Sequence, residues 1–157
     1  HILMPIINYP FTRLGPESPF QPFLIIEVIN PQNSFKQEMP ALIDTGADEC
    51  TIPGFYAGKL GLSLKQGKPK SIVTAGGDIT SYSHRCTINI FAMSGTINKP
   101  RVDYDMVIIT IPTQMVDFAP DLKSSYALLG VENFLREYVL TIDYPRRVFS
   151  IRKPRKK

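Results

Sequence analysis

Fourteen prolines and ten glycines punctuate this chain of 157 residues, which favours short strands joined by turns over long helices. The segments between these breakers carry β-branched and aromatic residues. Residues 23–29, 39–43, 71–74, 80–91 and 102–111 read as strands. A short apolar strand ends at Leu128-Leu129-Gly130, and a closing hairpin pairs 138–142 with 148–151 through Asp143-Tyr144-Pro145-Arg146. Residues 54–60 fit a short helix stopped at Gly61, and 131–136 fit one or two helical turns. Residues 1–20, with Pro5, Pro10, Gly15, Pro16 and Pro19, read as an irregular lead-in, and 112–125 as a loop. Many short strands with closely spaced turns predict an all-β domain, closed or partly closed. The length suits one domain with a sizeable core.

The most informative local pattern is Ala41-Leu42-Ile43-Asp44-Thr45-Gly46-Ala47-Asp48-Glu49-Cys50. An apolar strand stops at a carboxylate, a hydroxyl and a glycine, which pushes an acid out of a dry sheet. Thr45 can hydrogen-bond locally, and Gly46 allows another backbone to approach closely. A lone carboxylate in such a place picks up a proton. Two facing carboxylates share one proton instead, so one can act as base while the other acts as acid. The pattern occurs once in the chain. It therefore reads as half of a site, completed by a second copy. Asp-Thr-Gly by itself is also a good turn sequence.

This segment resembles the active-site segment of retropepsin-like aspartic proteases, the retroviral type with one Asp-Thr-Gly per chain. Two further stretches resemble that family in its order. Lys68 to Val73 leading into Gly76-Gly77 is similar to its glycine-tipped flap, and Ala127-Leu128-Leu129-Gly130 with the turn through Leu135 is similar to its second signature. The resemblance spans residues 22–152, which leaves 1–21 as lead-in and 153–157 as a basic tail. It implies an all-β acid-protease barrel with one or two short helices, acting as a homodimer on polypeptide, with no cofactor. In that scheme Asp44, Thr45 and Gly46 are catalytic. Ala47 and Asp48, with Ala75, Gly76 and Gly77 of the flap, hold an extended substrate. The other reading of the same fold is a catalytically weak or inactive module used for dimerisation or peptide binding. One departure stands out. Retroviral enzymes have Arg after the second-signature Gly, where it pairs with the acid matching Asp48; here the position is Val131, so Asp48 needs Arg13 or Arg136, or stays solvated.

Several function classes recede on composition. The net charge of +4 is a tail property: seven of the eighteen bases fall in the last twelve residues, leaving eleven bases against fourteen acids, a net −3. Such a tail can contact nucleic acid or an anionic membrane surface, but a solvated end is the commoner case. No basic face with interleaved aromatics is visible. Asp103 and Asp105 read as surface charges, and Asp-Lys-Thr-Gly of cation pumps is absent. Cys50 and Cys86 lack metal-ligand spacing, and with His84 alone no metal site is expected. Two thiols suit a reducing compartment, cytoplasmic or cytoplasm-facing. The chain opens with His1, which leaves room for an upstream anchor or targeting segment.

Overall fold

The structure is a computed structural model that describes residues 5–122 and 124–156. Its strands are β1 (Ile6–Pro10), β2 (Phe23–Ile29), β3 (Lys36–Ile43), β4 (Thr51–Pro53), β5 (Lys68–Thr74), β6 (Gly77–Thr96), β7 (Lys99–Ala119), β8 (Ala127–Leu129), β9 (Val139–Asp143) and β10 (Val148–Arg152). Among the described residues helix is confined to α1 (Tyr56–Lys59) and two 3-10 turns, Leu64–Gln66 and Leu135–Glu137. Gly61, at φ +68°, ends the α1 region as expected of a residue that tolerates the left-handed conformation. Among the described residues no helix is long and apolar enough to cross a membrane.

Seven strands form one sheet in the order β2-β3-β8-β4-β7-β6-β5. β2 also pairs with β6, at Ile26↔Ile90 and Val28↔Ile88, so the sheet returns on itself as a partly closed ring. The period-2 alternation explains why it closes. Leu24, Ile26 and Val28 of β2, Met39, Ala41 and Ile43 of β3, and Ile88 and Ile90 of β6 are all buried on the inner face. Apart from Ala41, each such side chain contributes about 1.5–3 kcal/mol of burial. The fold is therefore the all-β, partly closed barrel that the strand pattern predicts. The closing hairpin and the turn at the head of β6 also fall where expected.

Two expectations are corrected. The lead-in of residues 1–21 is not wholly irregular: β1 pairs with β10 at Ile6↔Ile151, Tyr9↔Phe149 and Pro10↔Val148, and completes a β1-β10-β9 sheet. Pro10 is tolerated because it ends the strand, and Asn8 absorbs an irregularity at φ +51°. Ile6 and Phe11 join the core, while His1–Met4 lie outside the described residues. The loop expected over 112–125 is also mostly strand, since β7 runs to Ala119. Pro112 does not stop it because it sits in a bulge. The register passes from Ile88↔Ile111 to Cys86↔Gln114, so Pro112 and Thr113 together oppose Thr87. Beyond it Val116 and Phe118 return to the core. Lys123 of that expected loop lies outside the described residues. At the other end, residues 153–156 of the basic tail are exposed and carry no secondary structure.

Ile6 tests the docking of β1, since it is fully buried. Ile6→Ala should cost about 2–4 kcal/mol in urea unfolding. A change within about 0.5 kcal/mol, the range of an exposed substitution, would show that β1 does not pack on the body.

Candidate active site

Asp44 follows the last residue of β3, and its position is set by what flanks it. Ile43 is buried and paired in parallel with Leu129 of β8, and the Asp44 N–H donates to the Leu129 carbonyl at 3.1 Å. The carboxylate itself is half-buried. Its Oδ1 accepts the Gly46 N–H at 2.9 Å, and its main-chain carbonyl accepts the Ala47 N–H at 3.2 Å. This is an aspartate turn that holds one carboxylate oxygen in a fixed direction.

The loop after Asp44 is stitched to the segment after β8. The Val131 N–H donates to the Ala47 carbonyl at 2.9 Å, and the Glu132 N–H to the Asp48 carbonyl at 2.6 Å. The Cys50 N–H donates to Asn133 Oδ1 at 2.8 Å, and Gln114 Nε2 donates to the Asn133 carbonyl at 3.0 Å. Gly130 is the point of closest approach. A Cβ there would stand 2.5 Å from the Glu49 carbonyl carbon and oxygen and 2.8 Å from the Ala47 oxygen. Only glycine lets the two segments meet at this distance.

A cleft of about 810 Å³ opens beside this loop. Asp44, Gly46, Ala47, Asp48 and Glu49 form one wall, residues 70–75 of β5 and the turn form another, and Asp117 and Leu128 lie below. Of the residues singled out in the sequence, Asp44, Gly46, Ala47, Asp48 and Ala75 line the cleft. Thr45 is exposed next to Asp44. Gly76 and Gly77 form the hairpin tip beyond Ala75 and are not part of the lining. Gly77 alone takes a positive φ, +112°, where the Thr74↔Gly77 pair closes the turn. Asp48 is exposed and makes no ion pair among the described residues. Arg13 stacks on Phe20 and donates to the Pro16 carbonyl, while Arg136 pairs with Glu132 and Glu137. Solvation is thus what replaces the missing arginine.

Three charged members of the cleft, Lys70, Glu49 and Asp117, were given no role in the site from the sequence. Lys70 Nζ on β5 lies 2.6 Å from Glu49 Oε2 and 3.0 Å from Asp117 Oδ2. Asp117 on β7 is buried, and its Oδ1 accepts the Ser83 hydroxyl at 2.9 Å. Burial alone would lower the Lys70 pKa, but the hydrogen bonds it donates to Glu49 and Asp117 outweigh burial and hold the ammonium above its ordinary value. The alternation Val116-Asp117-Phe118 was the available signal, hidden by reading that stretch as loop. Among the described residues no three His, Cys, Asp or Glu side chains converge as a metal site would need.

With this geometry in view, the comparisons become specific. The aspartyl protease family model matches residues 31–132, and the chain belongs to that family. In three dimensions the chain is similar to a retropepsin-like aspartic protease from Rickettsia conorii, at 19% sequence identity and a TM-score of 0.52, covering 93% of this chain and 90% of that one. This likeness carries the fold. No curated protein matches the chain.

Two outcomes follow. Gly130→Ala should lower stability by about 1–3 kcal/mol, because the obstacles to its Cβ are backbone atoms that cannot rotate away. An unfolding midpoint unchanged from wild type would contradict the close approach. Cys50 and Cys86 are free and buried, and burial pushes each thiol up to about 12 from an ordinary 9. Neither should react with a thiol reagent at pH 8 until denaturant is added. Because these values are raised on folding, their contribution is complete below about pH 9 and is lost as pH climbs toward 12; Lys70, also raised, acts in the same direction. Denaturation midpoints measured from pH 7 to 11 should therefore fall at the alkaline end.

Proposed function

We propose that the protein is an aspartic endopeptidase that cleaves extended polypeptide as a homodimer. The observation that carries this reading is Asp44 itself. In a chain of the aspartyl protease family, one half-buried carboxylate projects into a cleft with an oxygen fixed by the Gly46 N–H. The cleft holds a single Asp-Thr-Gly turn, so the second carboxylate comes from a second chain.

Two Asp44 carboxylates face to face share one proton. The ionised member takes a proton from water as the oxygen attacks the peptide carbonyl carbon, and the protonated member gives its proton to the carbonyl oxygen. The tetrahedral intermediate then collapses. Its C–N bond breaks as the departing nitrogen takes a proton from one Asp44 and a hydroxyl of the intermediate returns its proton to the other, which releases a carboxyl and an amine and restores the shared proton. Thr45, exposed beside the acid, hydrogen-bonds across the interface. The backbone of Gly46, Ala47 and Asp48 accepts the substrate as an added strand, and Ala75, Gly76 and Gly77 close over it to exclude water. Apolar lining from Ile72, Ile79, Leu122 and Leu128 supports apolar side chains next to the cleaved bond.

Incubation with a mixed peptide library at pH 4 to 7 is the test. Wild type should cleave, with activity per chain rising with protein concentration as dimers form. Asp44→Asn should lower kcat by at least about 100-fold. Equal cleavage by wild type and Asp44→Asn would overturn the assignment. A strict monomer without cleavage would leave a peptide-binding module of the same fold.

A further inference from the structure

Among the described residues β5 is an edge strand whose backbone ladder runs to β6 alone, from Lys68↔Ser83 to Thr74↔Gly77. A two-stranded ribbon with one free edge holds its position weakly. Among the described residues, the ion pairs that tie β5 to the body beyond β6 are those of Lys70. Lys70 stands opposite Ser81, and Ser83, two residues on, stands opposite Asp117 of β7. Ser81 and Ser83 are both small and buried, which leaves Lys70 a path over β6. Two strand spacings come to about 10 Å, within the combined reach of a lysine and an aspartate. The ammonium ends 3.0 Å from Asp117 Oδ2 and 2.6 Å from Glu49 Oε2, on the loop that also carries Asp44.

We propose that Lys70 is a positioning residue that holds the β5–β6 hairpin down against the active-site loop. The anchor is Asp117. Its side chain is 2% exposed, with Ser83 on one oxygen and Lys70 on the other. Lifting the hairpin withdraws the ammonium and leaves a buried carboxylate without a countercharge, a state far less favourable than the loss of a surface pair. Opening is therefore opposed at the floor of the cleft rather than at the hairpin tip. Glu49 couples the same ammonium to the wall bearing Asp48, so hairpin height and wall position are set together. The consequence for peptide cleavage rests on the endopeptidase reading; the mechanical tie does not.

Amide hydrogen exchange on the intact protein measures the tie directly. Lys70→Met keeps the apolar stem and removes the charge. It should speed exchange of the hairpin amides, residues 71–79, by about tenfold while β9 and β10 amides stay at wild-type rates. Lys70→Arg should restore protection, because a cation again reaches both carboxylates. Glu49→Gln, which leaves Asp117 paired, should give a smaller increase in the same amides and decides the matter if Lys70→Met does not fold. In peptide hydrolysis Lys70→Met should raise KM about tenfold with kcat within about twofold, because the closed hairpin is no longer prepared in advance. Unchanged exchange at 71–79, or an equal increase in β9 and β10, overturns the proposal. If exchange behaves as expected while wild type cleaves no peptide, the tie stands and the endopeptidase reading falls.

Discussion

The contact between the Asp44 loop and the segment after β8 is the constraint on which the rest depends. Gly130 has no side chain, so the carbonyls of Ala47 and Glu49 can lie against its backbone. The Val131 and Glu132 amides can then satisfy the Ala47 and Asp48 carbonyls. Those hydrogen bonds fix the loop, and the loop fixes Asp44. Separate the two segments by the width of one methyl group and the aspartate turn loses its support. The parallel β3–β8 pairing exists to bring these segments together, and the ring of strands exists around that pairing.

Charge in the cleft follows a different rule from packing. Asp44 and Asp48 face solvent within it, whereas Asp117 is out of reach of water and depends on Ser83 and Lys70. The two kinds of acid serve opposite ends. An acid that faces the cleft is open to an incoming molecule. A buried, paired acid leaves an uncompensated charge if it loses its partner, and so it acts as a fixed point. Both kinds lie within one cleft, on a framework of strands whose stability comes from apolar faces elsewhere.

How much of this could be read from the sequence divides along the range of the interaction. The Asp44 turn, the Ala75–Gly77 tip, the α1 helix and the β9–β10 hairpin were legible because local chemistry decides them: breaker residues, β-branched runs and period-2 alternation. β1 was hidden by the prolines around it, although its pairing with β10 needs only a few N–H groups. β7 was cut short at Pro112 because a proline reads as a stop unless a bulge receives it, and the partner that makes the bulge, Thr87, lies far away in sequence. Lys70 and Asp117 could not be paired in advance, since neither has a local reason to meet the other. Asp48 was legible only as a question, which exposure answers.

The parallel pairing of β3 with β8 joins Ala41 to Ala127, 86 positions later. A chain emerging from the ribosome carries Asp44 long before it carries Gly130 or Asn133, and until those residues appear nothing seats the acid. Assembly of the site therefore waits until residues 127–133 have been made. Any truncation before residue 133 leaves an acid on an unsupported loop.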